Sequence, residues 1–223
     1  MNRVHPAMAR PALSGIEVNK VLKNTYILLA ATLIFSAFTA GMSMMFNWPH
    51  PGMIITLVGY FGLLILTSKF KNSSLGLLFV FALTGFMGLT LGPIISYYMT
   101  SMPNGNQLVM TAMGGTGVIF LGLSGYALTS RKDFSFMGGI LMAGILVAFL
   151  AGIGAAVFAI PALQLAVSAM FILLMSGMIL YQTSSIIHGG ETNYIMATVT
   201  LYITIYNLFL SLLHILGIFG GDD

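Results

Sequence analysis

The spacing of charged residues constrains this chain more than anything else. Between Lys23 and Lys69 lie 45 residues without a formal charge, between Lys71 and Arg131 lie 59, between Asp133 and Glu191 lie 57, and between Glu191 and Asp222 lie 30. An α-helix crosses the hydrocarbon core of a bilayer in about 20 residues. Each of the first three segments is long enough to go across and return, and the fourth is long enough to cross once. Only 6% of residues are charged and 58% are hydrophobic, against roughly 25% charged in soluble domains. With a mean hydropathy of +0.99, the chain reads as an integral membrane protein.

Each long segment breaks near its middle. Asn47-Trp48-Pro49-His50-Pro51-Gly52 divides the first, Met102-Pro103-Asn104-Gly105-Asn106 the second and Ala159-Ile160-Pro161-Ala162 the third. The expectation is an all-α, seven-transmembrane helix bundle with helices at about 25–46, 53–68, 75–99, 108–129, 135–158, 163–187 and 194–219. A six-helix count would make one hairpin re-entrant, and the third, with the weakest break, is the candidate. The run from Tyr26 to Phe46 is too long for the core of a cleaved signal peptide. Residues 1–24 are therefore expected to form a tail, weakly helical at most near Ile16 to Leu22, with a membrane domain over 25–219 and a short end at 220–223.

Under this count all eight Lys and Arg residues fall on one side. The positive-inside rule then makes the N-terminus cytoplasmic and puts Gly220-Gly221-Asp222-Asp223 outside, which is periplasmic for a bacterial inner-membrane chain. The pI near 9.2 reports basic cytoplasmic loops rather than a nucleic-acid surface. With no cysteine there is no disulfide, thiolate metal site or cysteine nucleophile.

The last apolar stretch carries a polar seam. Thr200, Thr204, Asn207, Ser211 and His214 recur at spacings of four, three, four and three, which places them on one helical face. In lipid such a face should turn towards protein or a wet cavity. The seventh helix is therefore expected at the centre, wrapped by the other six. Gly144, Ala148, Gly152 and Ala155 on the fifth helix, and Gly114, Gly117, Gly122 and Gly125 on the fourth, suggest close helix packing. Gly92-Pro93 deep in the third helix predicts a kink and a carbonyl one turn earlier in need of another partner.

Gly88-Leu89-Thr90-Leu91-Gly92-Pro93-Ile94-Ile95, followed by Ala112-Met113-Gly114-Gly115-Thr116-Gly117-Val118-Ile119-Phe120, resembles the signature of the transmembrane Bax-inhibitor-motif family. Ser130-Arg131-Lys132-Asp133-Phe134-Ser135-Phe136-Met137-Gly138-Gly139 is similar to its loop before the fifth helix. His188-Gly189-Gly190-Glu191-Thr192-Asn193-Tyr194-Ile195, with Leu201-Tyr202 and Tyr206-Asn207-Leu208-Phe209, resembles the bacterial YccA-like branch. The likeness runs from about Val21 to Gly217 and implies a seven-helix bundle with the last helix central. It implies two functions. One is a non-enzymatic inner-membrane protein that modulates, and is slowly degraded by, the membrane-bound ATP-dependent protease FtsH, in the setting of stress survival. The alternative is a pH-sensitive calcium or cation leak, in which acids on the sixth and seventh helices share a proton. The matching positions here are Gln182 and Thr204, neither of which ionises, and no Asp or Glu lies within any expected span.

Gln182 is expected to hydrogen-bond across to Thr204 or Asn207, because a buried amide in a bilayer wants partners. His188 and Glu191, three residues apart by a Gly-Gly turn, could form a pH-responsive pair but offer too few ligands for a metal. Enzymatic readings fail on missing companions. Ser124 and His214 lack the surrounding features of an intramembrane serine protease, no pair of buried aspartates exists, and His188 is followed by Gly-Gly rather than the pattern of a zinc protease. No catalytic residue, metal or cofactor is expected. The expected partners are the lipid bilayer, FtsH and, for the leak, calcium or protons.

Overall fold

A computed structural model describes residues 15–220. It has seven helices: α1 Gly15–Met45, α2 Met53–Phe70, α3 Ser74–Ser101, α4 Gly105–Ser130, α5 Gly138–Val157 after a 3-10 turn at Ser135–Met137, α6 Pro161–Ile187 and α7 Tyr194–Gly220. All seven are long and apolar enough to cross a bilayer. Local chemistry sets several of the ends. Pro161 opens α6 at the first helical position, where its missing N–H costs nothing. Asn193 caps α7 by accepting from the Ile195 and Met196 N–H groups, both at 3.0 Å. Gly189, at φ 74°, makes the turn between the last two helices.

The first helix starts ten residues earlier than the sequence suggested. The expectation stopped it after Lys23 because lipid rejects charge, but a helix can continue beyond the lipid, and Glu17 lies favourably in its first turn. At about 46 Å, α1 exceeds a hydrocarbon core of about 30 Å. Residues 15–24 of the expected tail are thus helical; the rest of that tail and Gly221 to Asp223 lie outside the described residues.

Burial explains why α7 is central. It supplies Ile195, Val199, Leu201, Tyr202 and Ile205 to a core shared with α1 and α3, Phe209 and Leu213 to one with α4, and Leu208 to one with α5 and α6. Four helices surround it rather than six: α7 packs on α1, α3, α4 and α6. α2 rests outside on α3 and α5 outside on α6, with Phe61 of α2 edge-on to Phe149 of α5 and much of their apolar surface left facing outward.

Glycine decides how closely α1 and α3 approach. A Cβ at Gly88 would collide with Thr39 Oγ1 and the Ser36 carbonyl, and one at Gly92 would lie 2.7 Å from the Ala40 carbonyl oxygen. The stripe on α5 packs as its spacing suggested: Ala148 and Ala155 are fully buried and a Cβ at Gly144 would press on Leu174 of α6. The α4 glycines do not. Gly114, Gly117, Gly122 and Gly125 all face open space, because α4 buries the face that carries Ala112, Thr116, Ser124 and Ala127.

Candidate functional site

The polar seam of α7 divides into a self-satisfied part and an open part. Thr204 Oγ1 donates to the Thr200 carbonyl at 2.7 Å and Asn207 Nδ2 to the Ile203 carbonyl at 2.8 Å, each four residues back on the same helix. Thr204 is only 2% exposed. Beyond them, Ser211 makes no hydrogen bond among the described residues, and His214 Nδ1 lies 2.7 Å from Ser168 Oγ of α6. Both line a cavity of about 290 Å³ with Ile94 and Tyr98 of α3, Ser168, Leu210 and Leu213.

A second seam, on α1, escaped the sequence reading. Thr25, Thr32, Ser36, Thr39 and Ser43 are all buried, at spacings of seven, four, three and four, the same helical signature as on α7. Ser36 Oγ lies 2.6 Å from Tyr202 Oη, and the tyrosine donates to the Thr84 carbonyl at 3.2 Å, so one hydroxyl ties α7 to both α1 and α3. Thr90 Oγ1 and Tyr206 Oη are 3.3 Å apart in the same interface. Ser43 Oγ donates to the Leu89 carbonyl at 3.0 Å, the acceptor that Pro93 leaves without its helical N–H. Gly92-Pro93 is therefore part of the α1–α3 packing seam, within a helix continuous from Ser74 to Ser101.

Gln182 departs from expectation. It is 4% exposed, yet its Nε2 donates to no acceptor, and no bond joins it to Thr204 or Asn207, which bond back to the α7 backbone. Its neighbour Thr183 reaches other helices instead, 3.4 Å from Tyr26 Oη and 3.5 Å from Ser124 Oγ.

The loops that carry lysine and arginine are each stitched to the junction of α6 and α7. Asn193 Nδ2 donates to the Lys71 carbonyl at 3.0 Å and Asn72 Oδ1 at 2.8 Å. Ser184 Oγ accepts from the Phe134 N–H at 2.9 Å and donates to the Lys132 carbonyl at 3.2 Å. The expected pairing of His188 with Glu191 does not form: His188 Nδ1 donates to the Ser184 carbonyl at 2.9 Å, and Glu191 Oε1 accepts the Asn193 N–H at 2.8 Å. The Gly-Gly turn separates them, each serving a different helix end. Asp133 accepts from both the hydroxyl and the backbone N–H of Ser135, which hold its carboxyl below the usual carboxylate range, the hydroxyl being the larger cause. Among the described residues no three His, Asp or Glu side chains come together as a metal site requires.

Comparison with known proteins decides the family. The family model described as inhibitor of apoptosis-promoting Bax1 matches residues 18–221. The chain belongs to this Bax-inhibitor family. Among its relatives, the modulator of FtsH protease YccA of Escherichia coli K12 is 51% identical over 209 residues, 94% of each chain. The inner membrane protein YccA of E. coli O6:H1 matches equally, and an uncharacterized protein of Pseudomonas aeruginosa is 54% identical over 93% of each chain. In this Bax-inhibitor chain neither Gln182, unpartnered at its amide nitrogen, nor Thr204, bonded to its own helix, carries an ionisable group.

Proposed function

We propose that this chain is a non-enzymatic inner-membrane modulator of the membrane-bound ATP-dependent protease FtsH, and a slow substrate of it, with its N-terminus in the cytoplasm. The observation that carries the reading is the 51% identity, over 94% of both chains, to the protein named modulator of FtsH protease. Two structural features support it. α1 runs past the lipid towards the lysine-bearing side, where it could present an N-terminal handle, and α7 sits locked among four helices, an arrangement that resists extraction. Co-expression with FtsH tests it. The full chain should co-purify with the protease and slow degradation of a labelled membrane substrate, and deletion of residues 2–14 should abolish both effects. Unaltered degradation with no co-purification would remove the proposal.

A cation leak, with calcium or protons as the ion, is the second reading, favoured by the continuity of the seam with the cavity at Ser211 and His214. The absence of carboxylates at Gln182 and Thr204 weighs against it, since calcium prefers charged oxygen ligands. Flux into liposomes at acidic and neutral pH, beside a Gln182→Asp/Thr204→Asp variant, separates the two. A pH-dependent leak from the unaltered protein would put the second reading first.

A further inference from the structure

We propose that the cavity between α3, α6 and α7 binds the carboxylate head of a single-chain amphiphile, a free fatty acid from the leaflet away from the lysines. Along α7 the hydroxyls and amide of Thr198, Thr204 and Asn207 each bond the carbonyl four residues back. Ser211, like Thr200, makes no such bond. It is 7% exposed as a residue, makes no hydrogen bond and lines the cavity, so its hydroxyl is open to the cavity and free to bond what enters there.

The remaining lining sets the chemistry of that partner. Tyr98 and Ser168 contribute hydroxyls and His214 an imidazole, with no Asp or Glu among the lining residues. A cation would find no opposing charge, whereas an anionic oxygen finds the hydroxyls of Ser211 and Tyr98; when Ser168 spends its proton on His214 Nδ1, the ring proton sits on Nε2 and the imidazole becomes a donor too. Ile94, Leu210 and Leu213 supply apolar wall. At about 30 Å³ per water-sized volume, the cavity of about 290 Å³ has room for a carboxylate and its first few carbons, but not for a two-chain phospholipid with its headgroup.

Depth and access fit the same ligand. His214 lies six residues before the end of α7, about 9 Å along the axis. A helix about 40 Å long that crosses a core of about 30 Å places it near the boundary between hydrocarbon and headgroups, where a fatty-acid carboxylate resides. α3 and α6 both pack on α7 but form no seam with each other, which leaves an interval along which an acyl chain can lie. This site stands independently of the protease reading.

The test uses the full chain in phosphatidylcholine nanodiscs, with stearate or phosphatidylcholine spin-labelled near the methyl end and the immobilised fraction read by electron paramagnetic resonance. Charge-assisted hydrogen bonds of this kind predict a preference for stearate of about tenfold. Ser211→Leu, which fills the cavity, and His214→Leu should each bring the preference close to one, while Ser176→Ala, whose hydroxyl bonds its own helix, should leave it unchanged. Unlabelled oleate should displace the probe and oleyl alcohol should not. The milder Ser211→Ala, with oleate competition, covers the case in which a leucine variant does not fold. Equal binding of the two lipids, preference for phosphatidylcholine, equal displacement by oleyl alcohol, or a stearate preference untouched by all three cavity variants would each overturn the proposal.

Discussion

Proline at position 93 deprives the Leu89 carbonyl of its helical donor, and Ser43 supplies another at 3.0 Å. Ser43→Ala should therefore cost about 1–2 kcal/mol, and less in a Pro93→Ala background, where an N–H returns to the acceptor. Equilibrium unfolding in mild detergent, arranged as a double-mutant cycle, measures the difference. A cost equal in both backgrounds would disconnect the serine from the proline. In the loop before α5, Ser135→Ala should return the Asp133 carboxyl towards its ordinary value, followed by carbon-13 NMR of labelled aspartate. The sign follows from the lowered pKa: the stabilisation is complete above the ordinary carboxylate value and is lost as pH falls through the depressed one, so the variant has less to lose in acid. The need for a donor at Leu89 was legible from Gly92-Pro93; the identity of the donor was not, because Ser43 is 46 positions away. Gln182 was misjudged for a related reason. Its amide nitrogen needs an acceptor within reach, and whether α7 presents one depends on how α6 and α7 are rotated against each other, which residue type does not record.

Whole helices were read more accurately than the faces they bury. Runs without charge identified all seven spans, since lipid tolerates so few charges. Which glycines meet a neighbour depends on helix rotation, which composition does not encode. Gly88→Leu should prevent α1 from seating on α3 and lower the thermal midpoint severely, because its side chain would enter the space of Thr39 and the Ser36 carbonyl. Gly122→Ala faces open space and should stabilise α4 by up to about 1 kcal/mol through helix propensity alone. Thermal unfolding of the pair separates packing glycines from merely exposed ones, and similar losses in both would contradict the assigned faces. The α1 seam was present in the sequence at the same spacing as the α7 seam. It was overlooked because threonine and serine, unlike asparagine and histidine, do not stand out among apolar neighbours.

Taken whole, the molecule joins its loops at one end and holds a cavity at the other, where Asn104 Nδ2 donates to the Gly220 carbonyl and Ser168 bonds His214. Loops at the lysine-bearing end share hydrogen bonds through Asn193 and Ser184, whereas the opposite end holds the cavity beside Ser211 and His214. Asn193→Ala removes both a helix cap, worth about 0.5–2 kcal/mol, and the link to Lys71 and Asn72. Hydrogen exchange should accelerate around residues 71–72 and at the start of α7, with the cavity end unaffected; uniform acceleration would mean that the two ends are not separable. The central position of α7 also governs how the protein is made. Of the seven helices it leaves the ribosome last, yet all three core clusters include its side chains. Until Tyr202 arrives, the hydroxyl of Ser36 and the carbonyl of Thr84 lack the partner that joins them. Six helices must wait in the membrane for the seventh, so a chain whose translation stalls before Tyr194 leaves a bundle without its centre and with the polar groups of α1 and α3 unjoined.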